Sequence, residues 1–175
     1  MRLLLTAAAV AFAGFATADD KGKSVELAGM KSTTPADWKE EAPSNTMRTA
    51  QFRLPKAEGD KDDAELALFM FPGGAGTPKQ NLDRQLAKFV EQGRKDKSEK
   101  TTVGGLEATY QDVSGTYKKK AFPMATDFKP VENYRQLYVL FEGKDGKQYY
   151  MTLLGPAKTV EKHKKDFEEF LKSFK

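Results

Sequence analysis

The residues Glu65 to Phe71 read ELALFMF. In an extended chain Leu66, Leu68 and Met70 point one way, and Ala67, Phe69 and Phe71 point the other. A strand that is apolar on both faces has to be covered from both sides. The stretch Tyr134 to Glu142 repeats the pattern, with Leu137, Val139 and Phe141 on one face and Tyr138 and Leu140 on the other. The chain must therefore build a sheet and supply a layer for each of its faces.

Two helices are available for those layers. The first follows the glycine-rich stretch FPGGAGTPKQNLDR. Thr77 is placed as an N-cap, Pro78 suits the first helical position, and Gln80 completes a capping box. Leu82, Leu86, Phe89 and Val90 recur at helical spacing, which predicts a helix as far as Gly93. The second runs from about Lys158 to Phe174, with Val160, Phe167, Phe170, Leu171 and Phe174 as its apolar stripe. Strands are expected at Val25–Met30 and Met47–Leu54, after the lead-in Asp96–Thr101, in the segment LEATYQDVSGTY and at Lys147–Leu154. Polar or glycine-rich turns join neighbours into antiparallel hairpins, Gly104-Gly105 among them. Lys118 to Pro130 reads as a long loop. Together these give an α+β sandwich on a mainly antiparallel sheet of about six strands.

Arg2, the apolar run Leu3 to Phe15 and the string Ala16-Thr17-Ala18 have the form of a secretory signal peptide. The apolar run is shorter than the ~20 residues a spanning helix needs. The expected division is a signal peptide over residues 1–18 and one domain over 19–175, exported to the periplasm or secreted, monomeric, with no membrane span after cleavage. The chain has no cysteine, which excludes disulfides, thiolate metal sites and cysteine nucleophiles. Its formal charge is +4, spread without a basic stripe, and the pattern gives no support to nucleic-acid binding.

The chemistry available for catalysis is sparse. His163 is the only histidine, and it falls within the apolar arc of the last helix. A hydrolase would have to combine it with carboxylates. Ser114 lies in DVSGT, where Asp112 replaces the first glycine of a nucleophile elbow. No cofactor motif is present: the glycine stretch is neither a P-loop nor G-x-G-x-x-G. A strand–glycine loop–helix arrangement does offer backbone N–H groups to an anion or a partner. The candidate contact residues are Gly74, Gly76, Thr77, Asn81 and Arg84. Asp60, Asp62 and Asp63 form a second candidate, for weakly bound calcium, although they lack an EF-hand template. Six tyrosines in the strands offer a third, a face for a peptide or a sugar.

In order along the chain, PADW (Pro35 to Trp38), MRTAQFRLP (Met47 to Pro55), the glycine loop with Asn81 and Arg84, DVSGTY (Asp112 to Tyr117), YRQLYVLFE (Tyr134 to Glu142) and LLGPAKTV (Leu153 to Val160) resemble the PsbP-like fold group. That group includes an extrinsic photosystem protein and a Ran-binding import factor, and the chain looks like an exported bacterial branch of it. The resemblance implies an α-β-α sandwich around the antiparallel sheet. In the branch an aromatic follows the Asn-x-x-Arg string; here Gln85 stands in that place. Members of the group are accessory or binding proteins. The expected function is therefore a soluble, exported, non-enzymatic binding or accessory module without a cofactor, whose partner is a protein or a small anionic ligand. A hydrolase built on His163 and a weak calcium- or anion-binding protein are the alternatives.

Overall fold

The structure is a computed structural model and describes residues 22–73, 76–122 and 124–175. The expected signal peptide lies outside the described residues. The elements run β1 (Ser24–Leu27), β2 (Met30–Thr33), β3 (Lys39–Glu41), β4 (Arg48–Leu54), β5 (Ala64–Phe71), α1 (Pro78–Leu86), β6 (Lys95–Val103), β7 (Leu106–Lys119), β8 (Lys129–Glu142), β9 (Gln148–Pro156) and α2 (Ala157–Ser173).

Seven strands form one antiparallel sheet in the order β3-β4-β5-β9-β8-β7-β6. β1 and β2 make a separate hairpin. The expectation of about six strands thus becomes seven plus two. The difference lies in short strands: β3 has three residues and β1 and β2 four each, too few to show a periodicity. The segment read as one strand from Val25 to Met30 is interrupted at Ala28 and Gly29, both at positive φ, where the hairpin turns.

Each sheet face has its layer, as the two-sided apolar strands require. On one face α2 buries Val160, Phe167, Phe170 and Leu171 against Leu66, Leu68, Leu137, Val139, Met151 and Leu153. Trp38 closes this core with edge contacts to His163 and Phe170. β2 is tied to the chain end by reciprocal backbone bonds between Lys31 and Lys175. The β6–β7 turn passes so near Phe174 that a Cβ on Gly104 would lie 2.7 Å from its carbonyl oxygen.

On the opposite face Leu82 of α1 packs with Tyr138, Leu140, Tyr150, Phe69 and Phe71. α1 is shorter than its apolar spacing predicts. It stops at Leu86 rather than Gly93, because the next residues pair with β7 instead. Val90 N–H donates to the Thr116 carbonyl and Lys118 N–H to the Lys88 carbonyl, both at 2.8 Å. Phe89 is thereby buried with Val113 and Tyr134. Tertiary backbone bonding has overridden the helical period. The predicted Lys118–Pro130 loop is also shorter, since β7 and β8 stay paired as far as Lys119 and Lys129.

Candidate functional site

α1 and the 87–90 segment cover only part of their sheet face. Beside them an open groove of about 780 Å³ crosses β4, β5, β9, β8 and β7. Its floor is Leu154, Gly155 and the rings of Tyr117 and Tyr134, which stack 5.7 Å apart with planes 11° from parallel. Phe89 meets Tyr117 edge-on at 5.5 Å and braces the pair from the covered side. The rim is charged and mixed in sign. Arg53, Lys56, Lys61, Lys119 and Lys120 contribute positive charge, and Glu41, Asp62, Asp63 and Glu65 negative charge.

The local chemistry fixes the floor. Tyr134 donates its hydroxyl proton to Asp62 at 3.1 Å. Burial, and then the Asp62 carboxylate, push its pKa up to about 12. Tyr117 is raised as well, by burial first and Glu65 second. Both therefore remain neutral hydrogen-bonding aromatics at ordinary pH. Glu65 pairs with Arg48 at 2.8 Å, and Arg53 pairs with Glu41. The groove can offer a ligand aromatic stacking, hydroxyls and charges of both signs.

The glycine loop has a different geometry. Gly74 lies outside the described residues. Gly76 has φ +97°, and a Cβ there would sit 2.7 Å from Gln80 Oε1. Thr77 forms the full capping box: its N–H donates to Gln80 Oε1 at 2.9 Å, and its hydroxyl accepts from the Gln80 N–H at 3.2 Å. Asn81 is buried and donates to the carbonyls of Gly76 and Thr77. Arg84 donates to Asn81 Oδ1 at 2.9 Å and to the Gln80 carbonyl at 3.2 Å. Gly76, Thr77, Asn81 and Arg84 are thus brought together, and their bonds to one another close the loop. Gln85 accepts a bond from the buried Gln136 at 3.2 Å, a polar contact in place of the branch's aromatic.

The three candidate calcium ligands do not converge. Asp60 accepts from Thr159, Asp62 from Tyr134 and Asp63 from the Lys56 N–H, each serving a different part of the fold. Among the described residues no group of three or more histidine, aspartate or glutamate side chains is arranged to hold a metal ion. His163 is 1% exposed, and its Nε2 meets the Pro55 carbonyl at 2.8 Å. No bond from it to a carboxylate or a hydroxyl exists among the described residues, so the geometry lends nothing to the hydrolase alternative.

The groove was the one feature the sequence reading did not assemble. The only available signal was the six tyrosines, which the fold sorts into three pairs. Tyr138 and Tyr150 stack beneath α1, Tyr110 and Tyr149 belong to the α2-side core, and Tyr117 and Tyr134 floor the groove.

No family model and no curated protein matches the sequence. Solved structures do match. Cyanobacterial PsbP (CyanoP) from Synechocystis sp. PCC 6803 superposes with a TM-score of 0.54 over 93% of this chain and 96% of its own, at 13% identity. The fold is PsbP-like. LpqN of Mycobacterium tuberculosis, described as involved in cell envelope biogenesis, matches with a TM-score of 0.52 over 89% of this chain and 85% of its own, at 14% identity. The alignments span most of each chain. Among the described residues no helix is long and apolar enough to cross a membrane.

Proposed function

We propose that this PsbP-like protein is an exported, non-enzymatic accessory module that holds an extended segment of a partner protein in the Tyr117–Tyr134 groove. The observation that carries the reading is the groove itself. It is open and long enough to cross five strands, with an aromatic floor and charges of both signs on its rim. An extended peptide presents side chains of both signs and backbone groups that tyrosine hydroxyls can bond. A compact anion would meet four carboxylates among the five rim cations, a mixture that suits a longer ligand carrying both signs better. The likeness to CyanoP and to the envelope-biogenesis protein LpqN supports an accessory role outside the cytoplasm.

The test is site-specific photocrosslinking in the exporting cell. A crosslinker at Lys61 or Lys119, on the groove rim, is expected to capture one protein. A crosslinker at Lys165, on the exposed face of α2, is expected not to capture it, and Tyr117→Ala in the Lys61 background should abolish capture. Equal capture from Lys165, or capture indifferent to Tyr117→Ala, overturns the reading.

A further inference from the structure

Four large apolar side chains are exposed among the described residues: Met47, Phe122, Met124 and Phe128. Three of these fall in the connection between β7 and β8, where Phe122 is 61%, Met124 86% and Phe128 45% exposed. The Ala125 N–H donates to the Phe122 carbonyl at 3.0 Å, and Ala125 itself is buried. β6 leaves β7 at the Lys95–Ser114 pair and β9 leaves β8 at the Tyr134–Pro156 pair, while β7 and β8 stay paired to Lys119–Lys129. The 87–90 segment accompanies β7 as far as Lys118, and the tip begins beyond it. Lys118 steadies its base, with Nζ bonded to the Ala87 carbonyl at 3.2 Å and 5.7 Å from the centre of the Phe128 ring.

The charge around the tip is one-sided. Residues 118–130 hold Lys118, Lys119, Lys120 and Lys129 against Asp127 alone, a local +3 in a chain of net +4. Apolar side chains at the extremity with lysines one step behind match the layering of a lipid surface. There, apolar groups enter the headgroup–acyl boundary and cations meet anionic headgroups. Three side chains are too small an area for a stable protein interface, which needs about 800 Å² from each partner. They are enough for a reversible membrane contact.

We infer that the β7–β8 tip is a peripheral membrane anchor that inserts Phe122, Met124 and Phe128 into an anionic lipid bilayer surface while the flanking lysines bind its headgroups. The reading is independent of the groove's ligand. It is tested by vesicle flotation with the full chain as its host processes it, on phosphatidylcholine vesicles with and without phosphatidylglycerol. Binding is expected on the anionic vesicles and to fall at least tenfold in the triple variant Phe122→Ser, Met124→Ser, Phe128→Ser. The double variant Lys119→Gln, Lys129→Gln should lose about 25-fold, about fivefold for each lysine. Both variants change exposed positions, and an unchanged thermal midpoint shows that they fold. Three results would each overturn the inference: no binding of the unmutated chain to anionic vesicles, binding that survives both variant sets, or equal binding to neutral vesicles.

Discussion

Asp60 caps a helix that begins almost a hundred residues later. Its Oδ2 accepts from the backbone N–H of Thr159 at 2.9 Å and from the Thr159 hydroxyl at 2.6 Å. The Thr159 hydroxyl in turn accepts from the Ala57 N–H at 3.0 Å. α2 needs this remote partner because its own N-cap, Pro156, has no side-chain cap bond. A carboxylate at a helix N-terminus also meets the positive end of the helix dipole. Asp60→Ala is expected to cost about 1–2 kcal/mol, the scale of a lost cap, measured by denaturant unfolding. Millimolar calcium should not shift the midpoint of the unmutated protein; a calcium-dependent rise would place the ion back on this turn.

His163 ties α2 to the end of β4 through the Pro55 carbonyl. Its Nδ1 and the Trp38 Nε1 are both buried without a hydrogen-bond partner among the described residues, in rings whose centres are 6.4 Å apart. His163→Ala leaves the carbonyl bare and opens a cavity against Trp38. The expected loss is about 2–4 kcal/mol, with metal content by mass spectrometry unchanged. Stoichiometric zinc that disappears in the variant would contradict this structural role.

Lys88 supplies a pH dependence with a definite sign. It is half-buried among the residues after α1, and burial, with the Arg48 and Arg84 charges behind it, lowers its pKa to about 8. Between pH 8 and the ordinary lysine value of 10.5 the unfolded chain holds a proton that the folded chain has released. Stability contributed by this residue therefore rises with pH across that window and is lowest below pH 8. The full difference is at most about 3 kcal/mol before solvent screening. Lys88→Met should raise stability at pH 7 and flatten the rise up to pH 10, read from urea midpoints at several pH values. A midpoint at pH 7 that falls in the variant would show instead that the ammonium is stabilising.

Gly76 separates a structural from a binding role in the glycine loop. At φ +97°, with Gln80 Oε1 2.7 Å from any added Cβ, Gly76→Ala should destabilise by about 1–2 kcal/mol. Arg84→Ala tests whether the loop contacts an anion. If it does, phosphate or sulfate should protect the unmutated protein against unfolding and protect the variant less. Equal protection leaves the loop a connection between β5 and α1.

Arg135 joins the sheet to α2. It forks onto Asp112 at 2.8 and 2.6 Å and also pairs with Glu161. Arg135→Lys keeps the charge and loses the fork, and should cost about 1–2 kcal/mol by thermal unfolding. A neutral result would mean that Lys164, 3.7 Å from Asp112, takes over.

Most of the fold was legible because its strongest elements carry long-range requirements in local form. ELALFMF demands two covering layers, and Thr77-Pro78-x-Gln80 marks the start of α1, its capping box intact in the structure. What misled was the far end of α1. Leu82, Leu86, Phe89 and Val90 fit one helical stripe, yet Phe89 is buried by a backbone pairing with the strand around Tyr117, a partner no local pattern names. The groove was hidden for the same reason. Tyr117 and Tyr134 are adjacent only across the β7–β8 ladder, beyond the irregular register at Gly115–Tyr117. The aspartates were visible as a cluster, but the diverging directions of Asp60, Asp62 and Asp63 depend on where α2 and Tyr134 arrive.

The strand order has a consequence for synthesis. β9 lies between β5 and β8, so the β3-β4-β5 group and the β8-β7-β6 group share no edge until residues 148–156 arrive to join them. Until then β5 and β8 are borders left unpaired, in addition to the outer edges β3 and β6, and neither half-sheet has α2 across its apolar face. A chain emerging N-terminus first cannot lock its core until nearly all of it has been made.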